Sequence, residues 1–535
     1  MDLRYLIPSE ERRRDISRTR QIAFAALALL LLAAIGAWRW HQTKDLALPP
    51  WVDGVHHTLL VRILLEQGRI PDTWAPQLPD VPLYYHFGFH VTAALLARLL
   101  GWTGTRLGDA MLLANLLWQV AAAAGVGVLV WSFSRDRRAS VIAAALTGFV
   151  SQMPAFYVAW GRYTLLAGVT ILIWGMVAAA AQRHIAVAVA IAATGVTHYF
   201  AFCLLIGFCG LLLLCTPTRR ARVGLATAVG VGICIAAPWL LRVAHWTAAF
   251  QRSHGSSRVG GQFVAPATST LRLLGPLHNY ALLSVAVVGL LIVLRRLRRD
   301  PATRPPAQVA FVLWSVCLAL LLGPWQIGPL RVEYAAIVLF VPAVVFAAHA
   351  LAQLRPWPVQ LSAIAALVLW GLVATADLVP EETIIATSAD RRAIEWIEVH
   401  TRSDALFLID VVPWMGIWRG ADGGWWIAPL TGRATVLPAL AYSWGPPELM
   451  DLVKATAQRV YQLGELHGAA YCGELERLLD ETDAGYYYTR SGLPTSCPEM
   501  SVLYDKDGVR LYALANSPAV QTAGSGSAAP VAPQR

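Results

Sequence analysis

The reading of the fold turns on Tyr84-Tyr85-His86-Phe87-Gly88-Phe89-His90-Val91-Thr92-Ala93-Ala94-Leu95-Leu96-Ala97-Arg98-Leu99-Leu100-Gly101-Trp102. From Phe89 to Trp102 the stretch is apolar, yet shorter than the ~20 residues a helix needs to cross a bilayer. If it spans, Arg135, Arg137 and Arg138 face the outside, and every later basic cluster is inverted. If it lies flat in the outer leaflet, Arg135–Arg138, Arg183, Arg219–Arg222, Arg295–Arg299 and Arg355 all fall inside. Cytoplasmic loops carry the excess of Lys and Arg, so the flat helix is the expectation.

The rest of the chain supports a membrane setting. Of its 535 residues, 56% are hydrophobic and 14% charged, against about 25% charged in ordinary soluble domains. That composition excludes a soluble enzyme, a disordered chain and a fibrous protein. About eleven apolar runs read as spans: Ile22–Trp40, Ala110–Ser132, Ala139–Met153, Thr164–Ala181, Ile185–Thr197, Phe200–Cys215, Val223–Leu241, Pro276–Leu294, Val309–Leu322, Ala335–Leu351 and Val359–Ala376. The fold class expected is mainly α: a polytopic helical membrane protein with outer-leaflet juxtamembrane helices and a small C-terminal α/β extracytoplasmic domain. The net charge of +10 sits in short arginine clusters between apolar runs. Those orient helices and form no basic face for nucleic acid.

The expected organisation is a cytoplasmic N-terminal segment (1–21), a transmembrane domain (22–378) with a long first outer loop (41–108), an extracytoplasmic α/β domain (379–516) and a disordered tail (517–535). The first apolar run follows a polar, arginine-bearing stretch and has no small-residue cleavage site after it, so it reads as a retained helix. In the C-terminal region, Ala389–His400 and Pro447–Leu463 read as helices. Ala405–Asp410, Gly485–Thr489, Ser501–Tyr504 and Val509–Leu514 read as strands. Of seven cysteines, five lie in apolar runs; Cys472 and Cys497 are free to pair in an oxidising compartment.

With the flat helix, the chemistry-bearing residues collect on the outer face. The first loop opens Trp51-Val52-Asp53-Gly54-Val55-His56-His57. Asp53 is a candidate base for a hydroxyl proton; it equally suits a helix N-cap. His56 and His57 are adjacent, so on a helix they point about 100° apart and do not share a metal. His86 and His90 are four apart and share a face, and Tyr85 precedes them. Trp160-Gly161-Arg162-Tyr163 forms a turn at the same level. Also on this side are His198, Arg242, the Gly/Ser-rich loop with Arg258, and Arg331 with Glu333. Outer-face arginines run against the positive-inside bias, and a guanidinium binds phosphate oxygens bidentately.

The layout resembles the GT-C class of integral-membrane glycosyltransferases. It shares one helix, then a long first outer loop with an acid near its start, then a Tyr/Pro/His segment. That segment leads into the juxtamembrane helix through Phe89-His90 and Leu95-Leu96-Ala97-Arg98-Leu99-Leu100-Gly101. A late helix begins with Arg331, and a soluble outer domain closes the chain. The resemblance implies an enzyme that moves a sugar from a polyprenyl-phosphate donor to a hydroxyl of a glycan, lipid or protein acceptor at the outer face of the plasma membrane. It maps the family's first-loop acid to Asp53; His56, His57, Tyr85, His86 and His90, collected on the same face, are the candidate acceptor or cavity residues. It maps the donor-phosphate arginine to Arg331, then Arg162; Arg242 and Arg258 are further phosphate candidates by their placement on the outer face. Trp160, Tyr163, His198 and Glu333, placed on the same outer face, are expected to line the cavity. A divalent metal, Mg or Mn, is left open. Two departures stand out. Asp53 has no acidic neighbour where many members have a pair. Trp425-Trp426 is followed by Ile427, so the oligosaccharyltransferase Trp-Trp-Asp motif is absent.

Three other readings remain. A lipid-linked glycan flippase or transporter is the first. Ion-coupled transporters place ionisable groups near the midplane, whereas here Asn115 and Gln119 are the chief mid-span polar residues. The others are a ligase using diphosphate-linked lipid and a non-catalytic relative of the same class.

Overall fold

The computed structural model describes residues 10–254, 277–299, 305–323, 332–491 and 497–515. Each apolar run becomes helical. In chain order the helices of the first 380 residues are α1 (Glu10–Thr43), α2 (Trp51–Gln67), α3 (Gly88–Leu100), α4 (Arg106–Ser134), α5 (Arg137–Ala145, extended by a π turn to Val150), α6 (Tyr163–Ala180), α7 (His184–Thr197), α8 (Tyr199–Cys215), α9 (Arg219–His254), α10 (Leu277–Arg299), α11 (Pro306–Leu320), α12 (Val332–Val338), α13 (Phe340–Ala352) and α14 (Trp357–Ala374). Among the described residues, eight helical segments are long and apolar enough to cross a membrane. Three runs expected to span form shorter helices of 14, 17 and 15 residues, α7, α8 and α11. The polypeptide is a multi-pass membrane protein.

The pivotal apolar stretch stays on one side. Its helix α3 has 13 residues, about 20 Å of rise where a hydrocarbon core measures about 30 Å. At its start the Phe87 N–H donates to Val196 O at the end of α7, 3.0 Å away. Gly88 is required there, because a Cβ would sit 2.0 Å from Thr197 Oγ1. Just past its end, Thr105 Oγ1 donates to Glu395 Oε1 of the C-terminal region at 2.9 Å. Leu95, Leu99 and Leu100 remain 47–80% exposed, an apolar edge suited to acyl chains. Ala47, shortly after α1, and Asp109, at the start of α4, both bond Arg391 of the C-terminal region, so the segment between them leaves and returns on one side.

The C-terminal region contributes α15 (Ser388–His400), α16 (Ile427–Thr431), α17 (Pro447–Gln462) and α18 (Gly468–Thr482). After the short hairpin β1 (Thr73–Trp74) and β2 (Leu78–Pro82) of the first loop come seven strands here: β3 (Leu406–Ile409), β4 (Val411–Trp414), β5 (Ile417–Gly420), β6 (Ala434–Thr435), β7 (Tyr486–Thr489), β8 (Met500–Lys506) and β9 (Val509–Leu514). The main sheet has the order β6-β3-β7-β9-β8. β3 runs parallel to β6 and β7, and β9 antiparallel to β7 and β8. The four strands read from sequence are all present. The hairpin β4–β5, the edge strand β6 and α18 were not anticipated. Thr387 caps α15 in a reciprocal box with Asp390. Cys472 and Cys497 form a disulfide.

The first loop and the C-terminal region share one buried apolar core. Val52, Val55 and Leu59 of α2 belong to the same cluster as Phe407, Trp425, Trp426 and Tyr488. Gly54 follows Asp53 because a Cβ would press to 3.0 Å from Pro49 O and 3.3 Å from the Trp426 ring. A second cluster, formed by α4–α13, fills the helical bundle.

Candidate functional site

Where α2, the turn before α6, the α7–α8 junction and α12 converge lies a cavity of about 330 Å³. Asp53, Tyr85, His86, Arg162, His198 and Tyr334 line it, with Trp444 reaching in from the C-terminal region.

Asp53 is placed by local geometry. Trp51 takes a left-handed φ of 68° directly after Pro49-Pro50, which turns the chain sharply into α2. Pro50 is the N-cap and supplies no side-chain hydrogen bond. Asp53 is the third helical residue, so the N-cap role is excluded and its carboxylate is left for the cavity. Burial raises its pKa to about 6, with the Arg162 charge pulling the other way. Half of the population is therefore ionised near pH 6 and nearly all of it at pH 7, in a place where the base remains poorly solvated.

Arg162 faces that acid across the cavity. Its Nη1 donates to Tyr334 Oη at 3.2 Å, and the guanidinium carbon lies 5.4 Å from the Tyr334 ring centroid. Burial works against its charge, but Tyr334, Asp53 and Tyr85 outweigh it and hold the group above its usual value. It remains a cation.

The preceding residue sets the position of Arg162. Gly161 has φ 63°, and a Cβ there would stand 2.7 Å from Asp53 Cβ. Both the backbone conformation and the close approach demand glycine. The Gly161 carbonyl accepts from His57 Nε2 at 3.1 Å, and His57 Nδ1 stands 2.8 Å from His90 Nε2. A carbonyl only accepts, so the proton of His57 is assigned to Nε2. Nδ1 then accepts from His90 Nε2–H. Burial is the largest cause of depressed pKa values here, holding His57 and His90 well below the usual imidazole range and His56 and His86 at about 3. The pair is a neutral brace from α3 through α2 to the turn that carries Arg162.

The other expected residues fall in three groups. Tyr85 stacks on Trp444 with centroids 4.9 Å apart, and His86 packs against His198 at 4.7 Å. His56 is buried behind them, against Tyr85 at 5.5 Å. Tyr163 stacks on Phe89 at 5.3 Å and Trp160 packs on Phe156 at 4.8 Å, so both shape the turn from behind rather than line the cavity. Arg242 is committed elsewhere, with Nη1 on Asp72 Oδ1 at 2.7 Å and Nε on Leu83 O at 2.9 Å, where it closes the first loop. Glu333 does not line the cavity; its neighbour Tyr334 does. Arg331 and Arg258 lie outside the described residues.

Tyr334, Trp444, Tyr199 and Thr164 line the cavity and were missed. Tyr334 had a signal, since it stands in Arg331-Val332-Glu333-Tyr334. Trp444 had none, because it arrives from a different part of the chain.

The donor set does not fit a magnesium or manganese centre. Asp53 is the one carboxylate among the described residues lining the cavity, and such ions take several oxygen ligands. His57 and His90 are spent on each other and on Gly161. Among the described residues, no group of three or more His, Cys, Asp or Glu is arranged to hold a metal.

No protein-family model and no curated protein matches the sequence. Solved structures do match. Against ArnT from Cupriavidus metallidurans in the apo state, the chain has 14% identity over 93% of its own length and 98% of that chain, with a TM-score of 0.58. The archaeal oligosaccharyltransferase AglB from Archaeoglobus fulgidus, solved with an inhibitory peptide and a dolichol-phosphate, is 12% identical over 92% of this chain and 74% of that one, with a TM-score of 0.53. The arabinofuranosyltransferase AftD from Mycobacteria is 15% identical over 92% of this chain and 42% of that one, with a TM-score of 0.54. At these identities the likeness concerns the fold. The chain has a GT-C-like fold.

Proposed function

We propose that the protein is a membrane glycosyltransferase that moves a sugar from a polyprenyl-phosphate donor to an acceptor hydroxyl at the outer membrane face. The observation that carries this reading is one cavity in which a buried, solvent-starved carboxylate, Asp53, faces a permanent cation, Arg162. That pairing suits a reaction in which a proton is lost at one end and a phosphate leaves at the other. The ArnT fold has also been solved bound to undecaprenyl phosphate, a ligand of the class proposed for this chain.

In the proposed reaction the acceptor oxygen forms a bond to the anomeric carbon. The bond from that carbon to the phosphate oxygen breaks, and its electron pair leaves with the polyprenyl phosphate. Asp53 takes the hydroxyl proton. Arg162, with Tyr334 beside it, stabilises the phosphate charge as it develops. Arg331, three residues before Tyr334 in sequence, is the further phosphate candidate. Tyr85 and Trp444 form an apolar wall for the sugar face. No step is derived through a metal. The disulfide is compatible with an oxidising outer compartment for the C-terminal region.

Sugar transfer by detergent-purified wild type and Asp53→Asn, with a panel of polyprenyl-phosphate sugars, tests the proposal. The expected result is transfer by wild type and none by a folded Asp53→Asn variant. Equal transfer by both would remove Asp53 as the base. Absence of transfer by wild type with every donor would count against the enzyme reading and favour a non-catalytic relative.

A further inference from the structure

A second cavity, of about 390 Å³, lies in the C-terminal region, between the carboxyl ends of β3 and β7 and the helices α17 and α18. The sheet order puts β6 on one side of β3 and β7 on the other. The chain leaving β3 passes to the β6 side, while the chain leaving β7 passes to β8 and β9. Connections that diverge in this way open a crevice at the strand ends, where parallel α/β sheets bind ligands.

The residues at this crevice have a definite chemistry. Asp410, directly after β3, accepts from Tyr487 Oη at 2.7 Å, Thr489 Oγ1 at 2.6 Å and Ser491 Oγ at 3.1 Å. A carboxylate has about four acceptor positions, so three neutral donors leave room for one more. Tyr471 Oη pairs with Tyr487 Oη at 3.2 Å, which leaves phenolic lone pairs to accept from a ligand. Among the described residues no lysine or arginine lines the cavity, and its one carboxylate is already shared among hydroxyls. An anion has no permanent countercharge there, since its one nitrogen base is the imidazole of His467, and a metal ion has too few free oxygens. On the rim, Tyr461 is 46% exposed, with its ring 5.6 Å from that of Trp418. An aromatic face beside a set of hydroxyl donors and acceptors suits a neutral polyol with an apolar ring face.

We propose that the Asp410 crevice is a saccharide-binding subsite, separate from the Asp53 cavity, that holds a neutral sugar residue of the acceptor. As an acceptor subsite it rests on the glycosyltransferase reading; as a saccharide site it stands alone. Asp410 accepts from a sugar hydroxyl, Tyr471 and Ser491 complete the polar floor, and Tyr461 covers the apolar ring face.

The test is saturation-transfer NMR on the full chain in detergent. The probes are maltose, isomaltose, cellobiose and mannobiose, each at about 10 mM, where even a millimolar site is largely filled. Magnesium chloride and inorganic phosphate serve as competitors. Expected are saturation of at least one disaccharide, binding weakened about tenfold in Asp410→Ala, as for one lost charge-assisted hydrogen bond, a similar loss in Tyr461→Ala, and no change in Asp53→Asn. Tyr461→Ala alters a rim residue and keeps the test sound if Asp410→Ala misfolds. Lack of binding by all four disaccharides overturns the proposal. So does binding that survives both crevice variants, that disappears in Asp53→Asn, or that magnesium or phosphate displaces. Saccharide binding by a protein that transfers no sugar would leave this site standing and count only against the transfer reaction.

Discussion

Arg391 grips Asp109 with both terminal nitrogens, Nη1 to Oδ1 at 2.8 Å and Nη2 to Oδ2 at 3.0 Å. The same Nη1 reaches the Ala47 carbonyl at 3.2 Å. One guanidinium from the C-terminal region thus ties the exit of α1 to the entry of α4. It sets the two ends of the first loop side by side, and the loop carries Asp53.

That clamp is mostly buried, the two side chains being 21% and 28% exposed. A bidentate, charge-assisted pair of this kind contributes about 1–2 kcal/mol. Arg391→Ala is therefore expected to lower the melting midpoint and to speed proteolysis of the C-terminal region. Combining it with Asp109→Ala should add little further loss, because each single variant already breaks the pair. Fully additive losses in that cycle would show that the two residues act independently.

Asp53 makes a paired prediction about rate and stability. Its carboxyl titrates at about 6 in the folded protein, raised from 3.8. As a base it works ionised, so transfer should rise with pH and reach half its plateau near pH 6. The folded state holds this proton more tightly than the unfolded chain. Stability is therefore full below about pH 4 and declines as pH rises through 6. Asp53→Asn should then melt higher than wild type at pH 8, with the gap closing towards pH 4. A pH-independent gap would contradict the assigned ionisation.

Gly161 and Gly101 separate conformational cost from site geometry. Both have positive φ, 63° and 64°, but a Cβ on Gly101 meets nothing within 4 Å while one on Gly161 strikes Asp53. Each alanine substitution costs about 1 kcal/mol for the left-handed backbone. Gly161→Ala should also abolish transfer, and Gly101→Ala should leave it near wild type. Equal activity in the two variants would mean that the contact with Asp53 does not matter.

The phosphate end predicts a different kinetic pattern. Arg162→Lys keeps a charge but loses the planar fork shared with Tyr334, so kcat is expected to fall at least about tenfold without recovery at high donor concentration. His57→Ala releases the Gly161 carbonyl and should act in the same direction through position alone. Since burial keeps His57 neutral at working pH, wild-type rate profiles should show no ionisation between pH 5 and 9 beyond that of the Asp53 carboxyl. A second limb in that range, lost in His57→Ala, would assign it a proton-transfer role instead.

Much of this was legible because the membrane writes simply. The length of each apolar run predicted its helix, and arginine placement identified α3 as the stretch that stays on one side. The strands Tyr486–Thr489 and Val509–Leu514 were visible from their period and flanking turns. The strand Ala434–Thr435 was not, since two residues carry no period. Asp53, Tyr85, His86, Arg162 and His198, which stand out because polar groups are scarce in so apolar a chain, line one cavity. Arg242 looked equivalent in sequence, but Asp72 neutralises it.

Sequence alone determined that this chain crosses a bilayer repeatedly, has a short interfacial helix and gathers its polar chemistry at one level. Those properties follow from local hydropathy and charge, which each segment carries by itself. Tertiary structure decided which polar groups meet. It placed Trp444 against Tyr85, Tyr334 under Arg162, and Gly161 in contact with Asp53. It also spent His57 on a carbonyl and Arg242 on an aspartate. These pairings join residues far apart in the chain, and a buried polar group takes whichever partner the packing of the apolar faces brings within reach.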